Sequence, residues 1–262
     1  MEIVDLSSPY EDSYFRCLED WSDEMDEAGD HKARWYSKMS ERGLRVKLAF
    51  DDHDRPIGMI QYLPIEHSMA VGSDLYMILC IWVHGHKEGV GDRQGAGVGT
   101  ALLTAAEGDA EELGAKGIAA WGVAMPWWMK AGWFKKHGYR KVDRQGMQIL
   151  LWKHFADDAV PPRWIEQGPK PQPVEGKVTV VAYVSGWCPA QNLVYERAKR
   201  AAAEFGNDVV FESYDTSEQS AMIACGHSDC VYLDGKSLQK GPPPSYNRIR
   251  RKMAKRVKRL KN

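Results

Sequence analysis

The stretch Gly91–Leu103 reads GDRQGAGVGTALL, with four glycines inside nine residues just before a helix-forming run. Glycines ahead of a helix let backbone N–H groups approach an anion that side chains would hold away, and the helix dipole adds its positive end. The stretch reads as a seat for a phosphate-bearing ligand, and its spacing decides which. A Walker loop is excluded, because no lysine follows any of these glycines at the required place. The dinucleotide pattern G-x-G-x-x-G fails as well: counted from Gly95 and Gly97, its third glycine falls on Thr100. The spacing that fits is [Q/R]-x-x-G-x-[G/A], filled by Gln94, Gly97 and Gly99.

Outward from this loop the pattern is alternating strand and helix. The apolar run DLYMILCIWV (74–83) predicts a strand buried on both faces, followed by a helix over 97–113 and a buried strand over 117–123. A helix through WMKAGWFKKHG closes at Gly138, and a hairpin around RQG ends the first domain. Upstream, amphipathic helices are expected over 10–28 and 31–43, then strands over 45–51 and 57–63 joined by DDHDRP. Five of the 13 prolines fall in 157–177, a stiff stretch without amide donors that reads as a linker. The expected organisation is a first domain 1–156, a linker 157–176 and a second domain 177–262. The second reads β-α-β-α-β-β-α, with a hairpin turning at Asp234–Gly235.

Composition narrows the class. Hydrophobic residues at 44% and charged residues at 27% suit a globular domain. No apolar run reaches the roughly 18 residues of a membrane span, and the acidic N-terminus is no secretory signal. Five scattered cysteines (17, 80, 188, 225, 230) argue against a disulfide framework and for a cytoplasmic location. Trp82, Trp121, Trp127, Trp128 and Trp133 crowd one region, as core packing or as the wall of an aromatic pocket. The net charge of −1 hides an asymmetry: residues 1–30 hold eleven acids and one base, and 248–261 hold nine bases and no acid.

The loop Gln94–Thr100, the long strand before it, the helix after it and the FxxxGY ending at Phe134, Gly138 and Tyr139 together resemble the GNAT (Gcn5-related) N-acetyltransferase family over residues 1–155. The resemblance implies an α/β (α+β) fold, a mixed central sheet flanked by helices, with acetyl-CoA as co-substrate and no metal. It implies that the backbone of Gln94, Gly95, Ala96, Gly97, Val98, Gly99 and Thr100 holds the pyrophosphate. Ile81, Trp82 and Val83 would pair with the pantetheine arm like an added strand, where that strand splays from GIAAWGV. Three features depart from the family. HGHKEGVGDR (84–93) is long, Phe134 stands where a tyrosine often protonates the leaving thiolate, and Trp127 stands where an asparagine often contacts the pantetheine.

Acyl transfer to an amine needs a group that takes a proton. His84, just past the strand, is the first candidate base, with Glu66 and His67 behind it. Cys80 reads as a core cysteine or a thiol facing the acyl group, and a metal on His84 and His86 lacks a further ligand of telling spacing. The acidic early helices suggest a cationic amine as the small-molecule acceptor, with Glu24 and Asp26 contributing.

YVSGWCPAQN places Cys188 at a strand-to-helix turn, where the dipole favours a thiolate. This resembles a thioredoxin fold in its small glutaredoxin-like form over 177–262, and the whole chain resembles the two-domain family ending in a YoaP-like domain. Gln191 replaces the second cysteine of C-x-x-C, and Asp229 stands at the usual cis-proline position, leaving Cys225 or Cys230 as possible resolving thiols. In the tail, Ile249, Met253, Val257 and Leu260 draw one apolar stripe, which predicts a docked terminal helix. Nucleic acid and membrane are not expected partners, since the protein as a whole is not basic and the tail lacks aromatic anchors. The function these readings favour is an acyl-CoA-dependent N-acyltransferase, with Cys188 a further candidate near the acyl site. The competing readings are a non-catalytic acyl-CoA or thiol sensor and a thiol-redox protein using Cys188.

Overall fold

In a computed structural model, residues 1–125, 129–239 and 241–261 are described. They form two compact units: 1–21 with 37–165, and 22–36 with 166–262. The elements in chain order are β1 (Glu2–Asp5), α1 (Glu11–Phe15), α2 (His31–Ser40), β2 (Arg45–Phe50), β3 (Pro56–Pro64), β4 (Ala70–Val71) and β5 (Leu75–Val83). Then follow α3 (Val98–Glu112), β6 (Gly117–Val123), α4 (Ala131–Lys136), β7 (Arg140–Gln145), β8 (Gln148–His154) and β9 (Arg163–Trp164). The second unit adds β10 (Val178–Val184), α5 (Pro189–Ala203), β11 (Val209–Asp215), α6 (Gln219–Cys225), β12 (Cys230–Leu233), β13 (Lys236–Ser237) and α7 (Tyr246–Leu260).

The first unit is built on a seven-stranded sheet in the order β1-β2-β3-β5-β6-β8-β7. Its one parallel pair is β5 with β6, and that pairing stops early: Leu75–Ile78 face Gly117–Ala120, and beyond them the strands part. A bulge on β5, between the partners of Gln61 and Tyr62, lies where they part. On one face lies α3, whose Val98, Leu102, Leu103, Ala106 and Ala110 form a buried stripe. Its Asp109 accepts from Tyr62 Oη at 2.6 Å and from Arg45 at 2.9 and 3.0 Å. Gly58 makes the close approach possible, since a Cβ there would stand 3.0 Å from the Val98 side chain and from the Trp82 carbonyl. On the other face, Tyr14 of α1 donates to Gln61 Oε1 at 2.7 Å, both side chains buried.

In the second unit the order is β11-β10-β12-β13, with β10 and β11 parallel and the others antiparallel. Val180 and Ala182 of β10 pack with Ala198 and Ala201 of α5 and with Ile249, Met253 and Val257 of α7. The tail helix is therefore docked as its stripe predicts, except that Leu260 remains about half exposed. Asp234 and Gly235 take positive φ, 47° and 68°, as a two-residue hairpin turn requires.

Four expectations need correction. The helix expected over 10–28 is interrupted: α1 is five residues long, Cys17 and Leu18 turn left-handed, and a 3-10 stretch resumes at Asp23–Ala28. The segment Ser22–Tyr36 belongs to the second unit, because its charges meet α5. Buried Arg197 binds Glu24 at 2.6 Å and Glu27 at 3.0 Å, Arg200 binds Glu27 at 2.6 Å, and His31 Nε2 lies 2.7 Å from Glu196. The presumed linker is not free chain. Arg163–Trp164 pairs with β4, while Gly168 N donates to Gly226 O at 3.0 Å and Val174 N to Thr179 Oγ1 at 2.8 Å. Finally, β1 extends the sheet as an edge strand too short and polar to be legible as one.

Candidate active site

The glycine loop turns on two left-handed residues, Gly95 (φ 79°) and Gly97 (φ 81°), the second being the N-cap of α3. A Cβ at either would meet no atom of the described residues within 4 Å. Glycine is required there by backbone conformation, and the space before it is open. Residues 94–97 are exposed. Among the described residues, none of the N–H groups from Gly95 to Thr100 donates to a backbone or side-chain acceptor; the helix ladder begins with Ala101 N to Gly97 O at 3.0 Å. A row of unengaged donors thus converges with the positive end of a four-turn helix.

The excursion 84–93 returns the chain to where it left β5. Arg93 N donates to His84 O at 2.8 Å, and the Arg93 guanidinium binds Asp51 at 3.0 Å. Bonds from Arg55, then from the Arg55 and His53 backbone, hold the Asp51 carboxyl far below the usual carboxylate range. Gly85 packs directly against the Gln94 carboxamide, which would have to swing aside for a Cβ there. The long insertion is a pinned loop that sets Gln94 at the entrance to α3.

Beyond Ile78 one edge of β5 is unpaired among the described residues. His84 N donates to Ile57 O, and Trp82 faces Met59, so ladder alternation turns the N–H and C=O of Ile81 and Val83 toward the gap left by β6. Within the gap Trp121 Nε1 donates to Leu79 O at 2.8 Å. Side chains alternate as well: Ile81 and Val83 share the α3 face, where Val83 lies beside Gly99, and Cys80, Trp82 and His84 share the α1 face. The glycine loop and His84 therefore approach the gap from opposite sides of the sheet.

Residues 5–139 match the acetyltransferase (GNAT) family profile, just over half of the 262 residues. The chain belongs to the GNAT acetyltransferase family. No curated protein matches it. Similar solved structures include a GNAT acetyltransferase from Staphylococcus aureus (13% identity, 59% of this chain and 99% of that one, TM-score 0.45). A PaiA N-acetyltransferase from Thermoplasma acidophilum in complex with coenzyme A is similar at 16% identity (59% and 98%, TM-score 0.44). A Brucella melitensis GNAT acetyltransferase in complex with acetyl-CoA is similar at 14% (61% and 90%, TM-score 0.42).

Within the GNAT unit the sequence-derived candidates separate. His84 lies at the end of the splayed strand but is fully buried. Trp21 covers it at 4.5 Å between ring centroids, Trp82 and His86 flank it at 5.4 and 5.8 Å, and Gly89 packs so closely that a Cβ there would sit 3.1 Å from Nε2. Neither ring nitrogen completes a hydrogen bond. Burial pushes its pKa below the usual value, with the Gly91 backbone opposing, so the ring is neutral at pH 7. Glu66 does not join the site. It is exposed beyond the Pro64–Tyr76 rung, and Val83 lies seven residues further along β5, about 23 Å away. His67, next to it on the same 3-10 turn, is excluded with it.

Phe134 is fully buried in edge contact with Tyr139 at 5.3 Å, so the family's usual hydroxyl is absent from this position. Tyr139 is itself buried, and burial, then the Glu107 carboxylate, push its pKa well up. Trp127 lies outside the described residues. Cys188 belongs to the second unit, buried at the N-cap of α5, and Asp229 accepts there from Ser185 N at 3.0 Å and Ser185 Oγ at 2.5 Å. The thiol of Cys230 is pushed up to about 12 by burial, which makes it a poor resolving group. Among the described residues no group of three His, Cys, Asp or Glu could hold a metal, and no helix is long and apolar enough to cross a membrane.

One contact escaped the sequence reading. His137 Nδ1 faces the Trp133 carbonyl at 2.9 Å and so carries the proton, leaving Nε2 to accept from Thr100 Oγ1 at 3.0 Å. This ties α4 to the first turn of α3, beside the glycine loop. A histidine four residues after a tryptophan at a helix end was the available signal, hidden by reading Gly138 only as a stop.

Proposed function

We propose that the protein is an acyl-CoA-dependent N-acyltransferase, with acetyl-CoA as donor and a small amine as acceptor. The observation that carries this is the row of unengaged N–H groups from Gly95 to Thr100, set beside an unpaired strand edge at Ile81 and Val83. The first is a seat for a diphosphate and the second a pairing edge for an amide-bearing arm. A bound coenzyme A thioester supplies an acyl carbon at which an amine forms a C–N bond as the C–S bond breaks. The N–H groups of Ile81 and Val83 orient the arm and polarise the carbonyl. Trp121, held by Leu79 O, forms a wall of the gap.

The amine enters on the α1 face, where neutral His84 is the group suited to accept its proton. It gains access only with a water or the amine itself beneath Trp21. With Phe134 in place of a hydroxyl, the departing thiolate takes its proton from solvent. Glu24 and Glu27 are engaged by Arg197 and Arg200, so they give no ground for requiring a cationic acceptor. In the second unit, a thioredoxin-like fold accounts for the β-α-β-α-β-β-α order, with Cys188 at its characteristic turn. Incubation with acetyl-CoA and a panel of amines tests the proposal by release of free thiol and mass gain of one amine. Saturable coenzyme A binding without transfer to any amine favours the sensor reading instead.

A further inference from the structure

The second unit contains a groove of about 380 Å³ between α7 and the β12–β13 hairpin. Lys236, Arg248, Lys252, Lys255, Arg256 and Arg259 line it, together with Gly241, Pro242 and Pro244, and no carboxylate does. The five α7 residues fall within about a 100° arc of the helix, next to the buried arc of Ile249, Met253 and Val257. Arg256 is tied to Leu233 O at 2.6 Å and to Asp234 at 3.4 Å. Lys236, Arg248, Lys255 and Arg259 have no charge partner among the described residues and are exposed.

We propose that this groove binds the phosphate backbone of a nucleic acid without reading its bases. The cations do not converge on a point, as a seat for one phosphate requires. They run along about 16 Å of helix, nearly five nucleotide steps at a rise of ~3.4 Å. Three of the six are arginines, whose planar forks match phosphate oxygens. The lining holds no aromatic side chain on which a base could stack, so the contact is sequence-independent. A membrane surface fits less well, because the apolar residues of α7 are buried in the core and Leu260 alone stands out at its end. The overall charge of −1, which led the sequence reading away from nucleic acid, averages over a chain whose acids lie elsewhere.

The test uses the full-length protein and fluorescein-labelled DNA of about 20 nucleotides, single-stranded and duplex, with anisotropy followed across a salt series. Four unpartnered cations predict a slope of log K against log salt of about −3.6 on the duplex and about −2.8 on the single strand, and the changes below are given for the duplex. Lys255→Glu with Arg259→Glu should cut low-salt affinity at least about tenfold and flatten the slope by about 1.8, with melting unchanged. Arg248→Glu alone should flatten it by about 0.9. Absence of binding at low salt, or full binding by the double variant, overturns the proposal. So does tighter, equally Lys255-dependent binding to polyglutamate or to phosphatidylserine vesicles.

Discussion

Replacing Gly97 with alanine perturbs the anion seat at one atom. Gly97 sits at φ 81° with open space where a Cβ would go. The methyl group clashes with nothing among the described residues, and two effects remain. An L-residue held left-handed costs about 1–2 kcal/mol, which for a unit of this size lowers Tm by about 2–8 °C. The methyl also projects into the space before the free N–H groups. A hydrogen bond to a charged acceptor is worth about 1.5–3 kcal/mol, so loss of one such bond raises the acetyl-CoA Kd about 10- to 150-fold. Gly114 separates the two effects. It has φ 84° and equally open surroundings, at the far end of α3, about 22 Å away. Gly114→Ala should lose the same stability and bind acetyl-CoA normally. Calorimetric titration and thermal melts on both variants give the comparison. Equal destabilisation with wild-type affinity in both refutes the placement of the diphosphate at Gly97.

His137→Ala should weaken acetyl-CoA binding between twofold and about tenfold, the effect of losing a bond of ~0.5–1.5 kcal/mol to Thr100; unchanged affinity removes its positioning role. Burial holds the His84 pKa below its ordinary 6.5, so the unfolded chain binds the extra proton first as pH falls through that value. The stability present above pH 6.5 is therefore lost below it, and melts at about pH 7.5 and pH 5.5 should show His84→Gln losing less on acidification than the wild type. The same variant should lower kcat by about 100-fold or more if His84 takes the proton, and no change assigns that step to water. Glu66→Gln, at the wrong end of the β3–β5 ladder, should leave kcat and KM unaltered. Arg197→Ala leaves Glu24 without its partner and Glu27 with Arg200 alone, at a cost of about 1–2 kcal/mol, discounted for their exposure; proteolysis should then cut within Ser22–Tyr36, and resistance there contradicts the assignment of that segment to α5.

Local signals were legible in the sequence, and long-range ones were not. Gly95 and Gly97 announce their left-handed turns, β5 its burial and α7 its stripe, because each depends on a few neighbouring residues. The misplacement of Glu66 arose from register: proximity in sequence to β5 puts it at the strand's start, while the gap opens at its end. The acids of 22–30 carry no mark of the arginines at 197 and 200 that bind them, so the domain boundary could not be drawn through them. His84 was read as accessible because Trp21, which covers it, arrives from sixty residues upstream. His137 escaped notice because its role rests on a single bond to Thr100, and Trp121, legible as a core or pocket-wall residue, gave no sign of its bond to Leu79 O.

In the proposed function the peptide nitrogens of Gly95–Thr100 grip a diphosphate. The most direct measurement is an amide NMR titration of the ¹⁵N-labelled protein with acetyl-CoA and, in parallel, with S-acetylpantetheine, which lacks the diphosphate. Saturable shifts of the 95–100 amides are expected with acetyl-CoA, and little movement of them with the truncated thioester. If those amides stay in place at saturation, or move equally with both compounds, the central claim is contradicted.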